Sequence, residues 1–188
     1  MSEIRFIEDT GSYAHRTRAN AHWAHLTLAF AADLNTGGER LTRDSAGTRY
    51  LGFKIPDGLN PQSPSFLQNA RQFAELAADW INENVFDPDG VRLNIAGNGI
   101  RTLSAHGISQ ENADAFMAAF FSELENALDG YPVLEVRSGG QTGFDEAGTK
   151  AAHRRCLKCS VLAPQGWRMT PAQGEDIYGQ EAFKARFA

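Results

Sequence analysis

The stretch VLEVRSGGQTGFDEAGTKAAHRR, residues 133–155, decides how this chain is read. An apolar run of strand length, Val133–Val136, goes straight into a glycine-rich turn and then into a helical pattern. Glycines at 139, 140 and 143 let the backbone turn tightly and approach a ligand with no Cβ in the way. The free N–H groups of the helix's first turn, backed by the positive end of the dipole, then favour an anion. Ser138 and Thr142 add hydroxyls, and Gln141 adds an amide. Thr142 followed by Asp145 also fits a capping box, so a cap and a phosphate cradle are both readings of this turn. Three glycines with Ser, Gln and Thr exceed what a turn alone needs. The turn is neither GxGxxG nor a P-loop, because no Lys-Ser/Thr ending follows.

Working outward, four more strand-length runs occur at Leu26–Ala31, Tyr50–Ile55, Val91–Ala96 and Cys159–Ala163. They are near-continuous in apolar character, as strands buried on both faces require. Between them lie helical stripes. Phe66, Ala70, Phe73, Ala74, Ala77, Trp80, Ile81 and Val85 form one; Ala113, Phe116, Met117, Phe120, Phe121, Leu124 and Leu128 form another. Alternating strand and helix predict an α/β three-layer sandwich, Rossmann-like, with a mainly parallel sheet of about five strands. Pro56–Pro64 and Asp87–Gly90 read as loops, so residues 1–188 form one domain. The Phe116–Phe121 stripe is wide enough for core and dimer contact together, and a homo-oligomer is expected on that ground.

Composition narrows the partners. At 42% hydrophobic and 22% charged the chain is an ordinary globular protein, and its net charge of −5 supplies no general field for nucleic acid. No apolar run approaches the ~20 residues that span a bilayer, and MSEIRFIEDTGSY lacks the pattern of a signal peptide. No membrane association and a cytoplasmic location are the expectations. Cys156 and Cys159 make a lone CxxC pair. With no second pair, a helix-to-strand turn carrying two small thiols is preferred to zinc or redox chemistry, and no metal site is expected.

A second glycine turn follows another strand in LTLAFAADLNTGGERLT, residues 26–42. Asp33 and Asn35 lie at the carboxyl end of that strand, and Thr36-Gly37-Gly38 opens the next helix, with Thr42 one turn on. Ligands of open α/β sheets bind at such ends, so the two turns are expected to face one crevice. About three charge-assisted bonds at ~1.5–3 kcal/mol each oppose an association cost of at least ~4 kcal/mol. One phosphate nest is therefore a weak binder, and a second loop must hold the rest of the ligand. Asn98, in a third turn after VRLNIAG, is either a ligand donor or part of a simple turn. Trp167 could stack on a base and Arg168 pair with a phosphate, or Trp167 could simply cover the core at its rim. Asp33, Asp145 and Glu146 are the candidate catalytic bases, although charge in a helix's first turn explains the last two equally.

SGGQTG-x-DEAG, followed by a strand and by Pro164-x-Gly166-Trp167-Arg168, resembles the molybdenum-carrier family of the SLOG superfamily of Rossmann-like nucleotide-binding proteins. That superfamily also holds the LOG-type nucleotide phosphoribohydrolases. In the family the turn follows the first strand, whereas here it begins at residue 138. Tyr13-x-x-Arg16-Thr17-x-x-Asn20 and Thr36-Gly37-Gly38-x-x-Leu41-Thr42 resemble its later segments, which implies a circularly permuted order. The resemblance implies a nucleotide or phosphate crevice built from Gly139, Gly140, Gln141, Thr142 and Gly143 on one side. Thr36, Gly37, Gly38 and Thr42 form the other, with Arg16 and Asn20 nearby. The implied ligand is a nucleotide or a phosphate-bearing pterin, the molybdenum cofactor, held by a carrier, sensor or sequestering protein. The alternative is N-glycosidic hydrolysis of a nucleotide. The LOG enzymes carry PGG-x-GT-x-x-E, but this chain has TGGERLTRD, in which Asp44 stands only loosely in the place of the catalytic Glu.

Overall fold

Six buried residues in a row, Leu26–Ala31, form the strand on which the molecule is built. A computed structural model describes residues 3–188. In it six parallel strands make one sheet: β1 (Arg5–Asp9), β2 (Leu26–Ala31), β3 (Tyr50–Lys54), β4 (Val91–Gly97), β5 (Val133–Ser138) and β6 (Cys159–Pro164), in the order β1-β6-β5-β4-β2-β3. All five strands expected from the sequence are present, with ends within two residues of the predicted ones. The sixth, β1, was not anticipated. Its sequence RFIED is short and carries three charged residues, because it lies at an edge with β6 as its one neighbour.

Helices cover both faces. α1 (Tyr13–Trp23) and α2 (Gly37–Ala46) pack together, while α3 (Pro64–Asn84), α5 (Gln110–Ala127) and α6 (Phe144–Arg154) form the other layer. The short α4 (Ile100–Ala105) follows β4, and α7 (Gln180–Ala185) follows β6. This is the expected three-layer, Rossmann-like sandwich. The chain steps β4-β5-β6 one way across the sheet and β2-β3 the other. Connections therefore diverge above the carboxyl ends of β2 and β4, where such sheets open a crevice.

The core is aromatic. Phe30 on β2 meets Phe120 at 4.9 Å and Phe53 at 5.2 Å between ring centroids, with Phe116 and Phe144 closing around it. Such ring pairs add about 0.5–1.5 kcal/mol each beyond the area they bury. Phe116, Phe120 and Phe121 are all fully buried within the single chain. The stripe is thus wholly spent on the core, and the dimer contact expected of it has no surface left. Among the described residues no helix is long and apolar enough to cross a membrane.

Candidate functional site

The crevice at the carboxyl ends of the strands is a cleft of about 290 Å³. Both glycine turns reach it: Thr36 and Gly38 from the turn after β2, and Gly139, Gln141 and Thr142 from the turn after β5. α1 contributes Tyr13, Arg16 and Asn20; the end of β4 contributes Asn98; and the segment after β6 contributes Arg168. Thr42 and Asp145 also line it. Eleven of the eighteen residues singled out in the sequence therefore share one cleft. Gly37, Ser138, Gly140, Gly143, Asp33, Glu146 and Trp167 are not among its lining residues.

The SGGQTG turn looks inward more than its sequence suggests. Gly139 N–H donates to Asp145 Oδ2 at 3.0 Å, and Gly140 N–H donates to Ser138 Oγ at 3.1 Å. Gln141 N–H also bonds the Asp145 carboxylate. Gly143 N–H donates to Gln110 Oε1 at 2.7 Å, while Gln110 Nε2 donates back to Gly143 O at 3.0 Å. Four amides of the turn are thus satisfied within the protein. Gly143 itself has φ +96, and a Cβ there would lie 2.3 Å from Asn98 O, so the turns after β4 and β5 touch at a point only glycine fits. Thr142 does not cap the helix as its spacing with Asp145 suggested. The N-cap is Gly143, and Thr142 Oγ1 donates instead to Thr170 O at 2.6 Å. Asp145 takes the reciprocal part, reaching back to the Gly139 N–H.

The TGG turn opens α2, as its sequence suggested. Thr36 caps α2, its Oγ1 accepting from Glu39 N–H at 3.2 Å. Asn98 stitches the ends of β2 and β4 together: Oδ1 accepts from Asp33 N–H at 2.8 Å, and Nδ2 donates to Asp33 O at 3.1 Å and to Glu39 Oε1 at 3.4 Å. It orients the cleft wall more than it offers groups to a ligand. Asp33 turns its own carboxylate to the Asn35 N–H. Glu146 is held by Lys150 at 2.5 Å and by Arg186 at 2.5 Å, an ion-pair network to which Asp114 also belongs. Trp167 packs edge-on against Phe183, covering the core at its rim. Asp44 is exposed on α2 and does not line the cleft.

Two features of the cleft escaped the sequence. The first is Glu39, 3% exposed. Burial above all, then the Asp145 charge, pushes its carboxyl up to about 7, against the Tyr50 and Asn98 groups that favour ionisation. Burial likewise pushes Asp145 up to about 7, opposed by the Gln141 and Gly139 N–H groups and by Arg16. Two carboxyls that interact and titrate near neutrality behave as one pair. Only the GGE sequence hinted at the first, and nothing there says that its side chain turns inward. Gly52 makes room for this arrangement, since a Cβ there would meet the Tyr50 hydroxyl at 2.7 Å.

The second feature is the bareness of Arg16. It is 4% exposed, and among the described residues its guanidinium forms no ion pair within 4.0 Å and no hydrogen bond; it lies over the Tyr13 ring at 5.5 Å. Arg101 and Arg168 reach the same cleft from α4 and from the segment after β6. Among the described residues no His, Cys, Asp and Glu cluster could hold a metal ion. Cys159 is buried, with its thiol pushed up to about 12 by that burial, and Cys156 is exposed; the two form no disulfide.

The fold and the cleft define an all-parallel, Rossmann-like α/β protein with a polar crevice at its strand ends. No family model, no curated protein and no solved structure matches the chain.

Proposed function

We propose that this protein binds a phosphate-bearing, nucleotide-like molecule in the cleft between the SGGQTG and TGG turns, as a carrier, sensor or sequestering protein. The observation that carries this reading is Arg16. A guanidinium has five donors and is almost never buried without a partner. Here it is buried, lacks an ion pair and faces a cleft shared with Arg101 and Arg168. Asp145 and Asp9 act on the guanidinium only from beyond ion-pair distance, so a phosphate supplies the acceptors it lacks, and guanidinium forks suit it geometrically. Thr36, Thr42 and the side chain of Gln141 add neutral polar groups around it. The loop amides, being engaged internally, shape the site and leave most of the anion binding to Arg16, because Arg101 and Arg168 already pair with Asp176 at 3.9 and 3.8 Å.

The resemblance to the SLOG superfamily agrees with this placement, and β1 beside β6 suits a permuted order, since α7 then leads from one neighbouring strand to the next. Within that resemblance the ligand is a nucleotide or a phosphate-bearing pterin. Equilibrium titration of the purified protein with pyrophosphate and AMP tests the proposal. Binding that weakens about tenfold or more in Arg16→Ala is expected, and absence of affinity for any phosphate compound overturns it.

A second reading, N-glycosidic hydrolysis, rests on the Glu39–Asp145 pair, because groups that titrate near pH 7 suit general acid–base work. Incubating nucleoside monophosphates with concentrated protein decides it. Released base supports hydrolysis, and intact substrate excludes it.

A further inference from the structure

We infer that Asp176 is an internal competitor of the ligand: it latches the loop of residues 166–179 onto Arg101 and Arg168, and an anion entering the cleft loosens that latch. The inference rests on the anion-binding reading of the cleft and adds to it a coupling between occupancy and the conformation of the rim.

The starting point is one carboxylate between two guanidinium groups. Asp176 Oδ1 lies 3.9 Å from Arg101 Nη2, and Asp176 Oδ2 lies 3.8 Å from Arg168 Nε. Both arginines line the cleft, one from α4 and the other from the segment after β6, whereas Asp176 is not among its lining residues. The carboxylate therefore reaches them from the loop side. Thr170, itself on the cleft wall, donates its hydroxyl to Asp176 Oδ1 at 2.8 Å, and Thr170 O accepts from Thr142 Oγ1 at 2.6 Å. A single residue thus connects Asp176 to the SGGQTG turn.

The distances decide between a latch and an orienting group. A carboxylate that aims an arginine at a ligand holds it by charge-assisted bonds of about 2.7–2.9 Å. Both contacts of Asp176 are longer than that. Among the described residues the Arg168 guanidinium makes no hydrogen bond, and Arg101 spends its own on the loop carbonyls of Pro171 and Gly174. The side chains of Arg101, Arg168 and Asp176 are 49%, 46% and 27% exposed, so each ion pair is weak and easily exchanged.

Charge sets the sign of the coupling. A phosphate drawn to Arg101 or Arg168 brings its negative charge up against Asp176, and two anions on one guanidinium oppose each other. The Arg168 charge also acts on Arg16, so an anion held by Arg16 is within reach of Arg168 as well. Ligand and latch are therefore coupled negatively, and by reciprocity releasing the latch raises the affinity for the ligand. Gly166 and Gly179, at φ +70 and +125, bound the loop, so glycine stands at both hinge positions.

Calorimetric titration of the full chain and of Asp176→Asn with pyrophosphate tests the inference. The substitution keeps the shape of the side chain and an acceptor for Thr170 while removing the charge. Asp176→Asn is expected to bind pyrophosphate about three- to tenfold more tightly than the natural chain. An orienting or purely structural Asp176 predicts weaker or equal binding instead. The natural chain supplies a second measurement that needs no variant. Chymotrypsin cleavage after Tyr178, which is 61% exposed on the loop, is expected to run several-fold faster with saturating pyrophosphate. Equal or weaker binding in the variant, or unchanged or slower cleavage, overturns this inference alone, provided pyrophosphate still binds the natural chain through Arg16. If pyrophosphate binds neither protein, the anion reading falls and this inference falls with it.

Discussion

The Asp145 carboxylate accepts the Gly139 N–H at 3.0 Å, so the helix that leaves the glycine turn fastens that turn from behind. Removing the carboxylate in Asp145→Ala orphans the Gly139 and Gln141 amides, at about 1–3 kcal/mol for a buried unsatisfied donor. Faster hydrogen exchange at both amides is expected, with lower stability at pH 6. The loss is smaller at pH 8, where the natural chain must ionise a buried group. Unchanged exchange rates would show that the bond does not hold the turn.

Glu39 makes stability fall as pH rises. Its carboxyl is raised from 4.5 when free to about 7 in the fold, so the folded state holds the proton more tightly than the unfolded one. The associated stability is complete below about pH 4.5 and is lost as pH rises through 7, a change on the order of 3 kcal/mol at most. Glu39→Gln should flatten that part of the profile and be more stable than the natural chain at pH 8. Urea unfolding between pH 5 and 8 measures it, and parallel profiles for the two proteins would refute the assignment.

Glu146 serves structure. Its carboxylate is gripped by Lys150 and Arg186, and Arg186 also donates to Gly140 O at 2.8 Å. Glu146→Gln leaves two partly buried cations short of charge, with a cost of about 2–4 kcal/mol. A clear fall in Tm is therefore expected, whereas a catalytic Glu146 would show lost turnover with Tm unchanged.

Two glycines of the two turns should respond oppositely to alanine. Gly143→Ala forces a Cβ against Asn98 O at a positive φ and should cost about 2–4 kcal/mol. Gly37 begins α2 with nothing within 4 Å of a Cβ, so Gly37→Ala should be neutral or stabilising by up to about 1 kcal/mol. Any loss of ligand affinity in Gly37→Ala without loss of stability would place the ligand directly against that turn. Thermal unfolding and phosphate titration of both variants separate the cases.

The sheet was legible because buried parallel strands are apolar throughout. β2, β3, β4, β5 and β6 announce themselves in this way, while β1 does not, since an edge strand needs one apolar contact face and tolerates Arg5, Glu8 and Asp9. The cleft was legible through its glycines and hydroxyls. What could not be read was direction. Ser138 and Glu146 turn to internal partners while Glu39 turns to the cleft, and each outcome depends on residues more than ten positions away: Thr149, Arg186 and Asn98. Thr142 missed its expected cap because the positive φ of Gly143 starts the helix one residue later.

The segment that lends Arg168 and Thr170 to the cleft stands apart from the rest of the wall. Gly179 N–H donates to Gly166 O at 3.3 Å and Met169 pairs with Ile177, which pinches residues 166–179 into a closed loop. Beyond that base, side chains tie the loop to its surroundings through polar atoms: Arg101 to the carbonyls of Pro171 and Gly174, and Thr142 to Thr170 O. Most residues from 171 to 180 are exposed. Water competes for every such tether, so this rim can detach at a small fraction of the free energy of global unfolding. The rim's amides are therefore expected to exchange while the sheet stays closed, and those of the floor only when the protein melts.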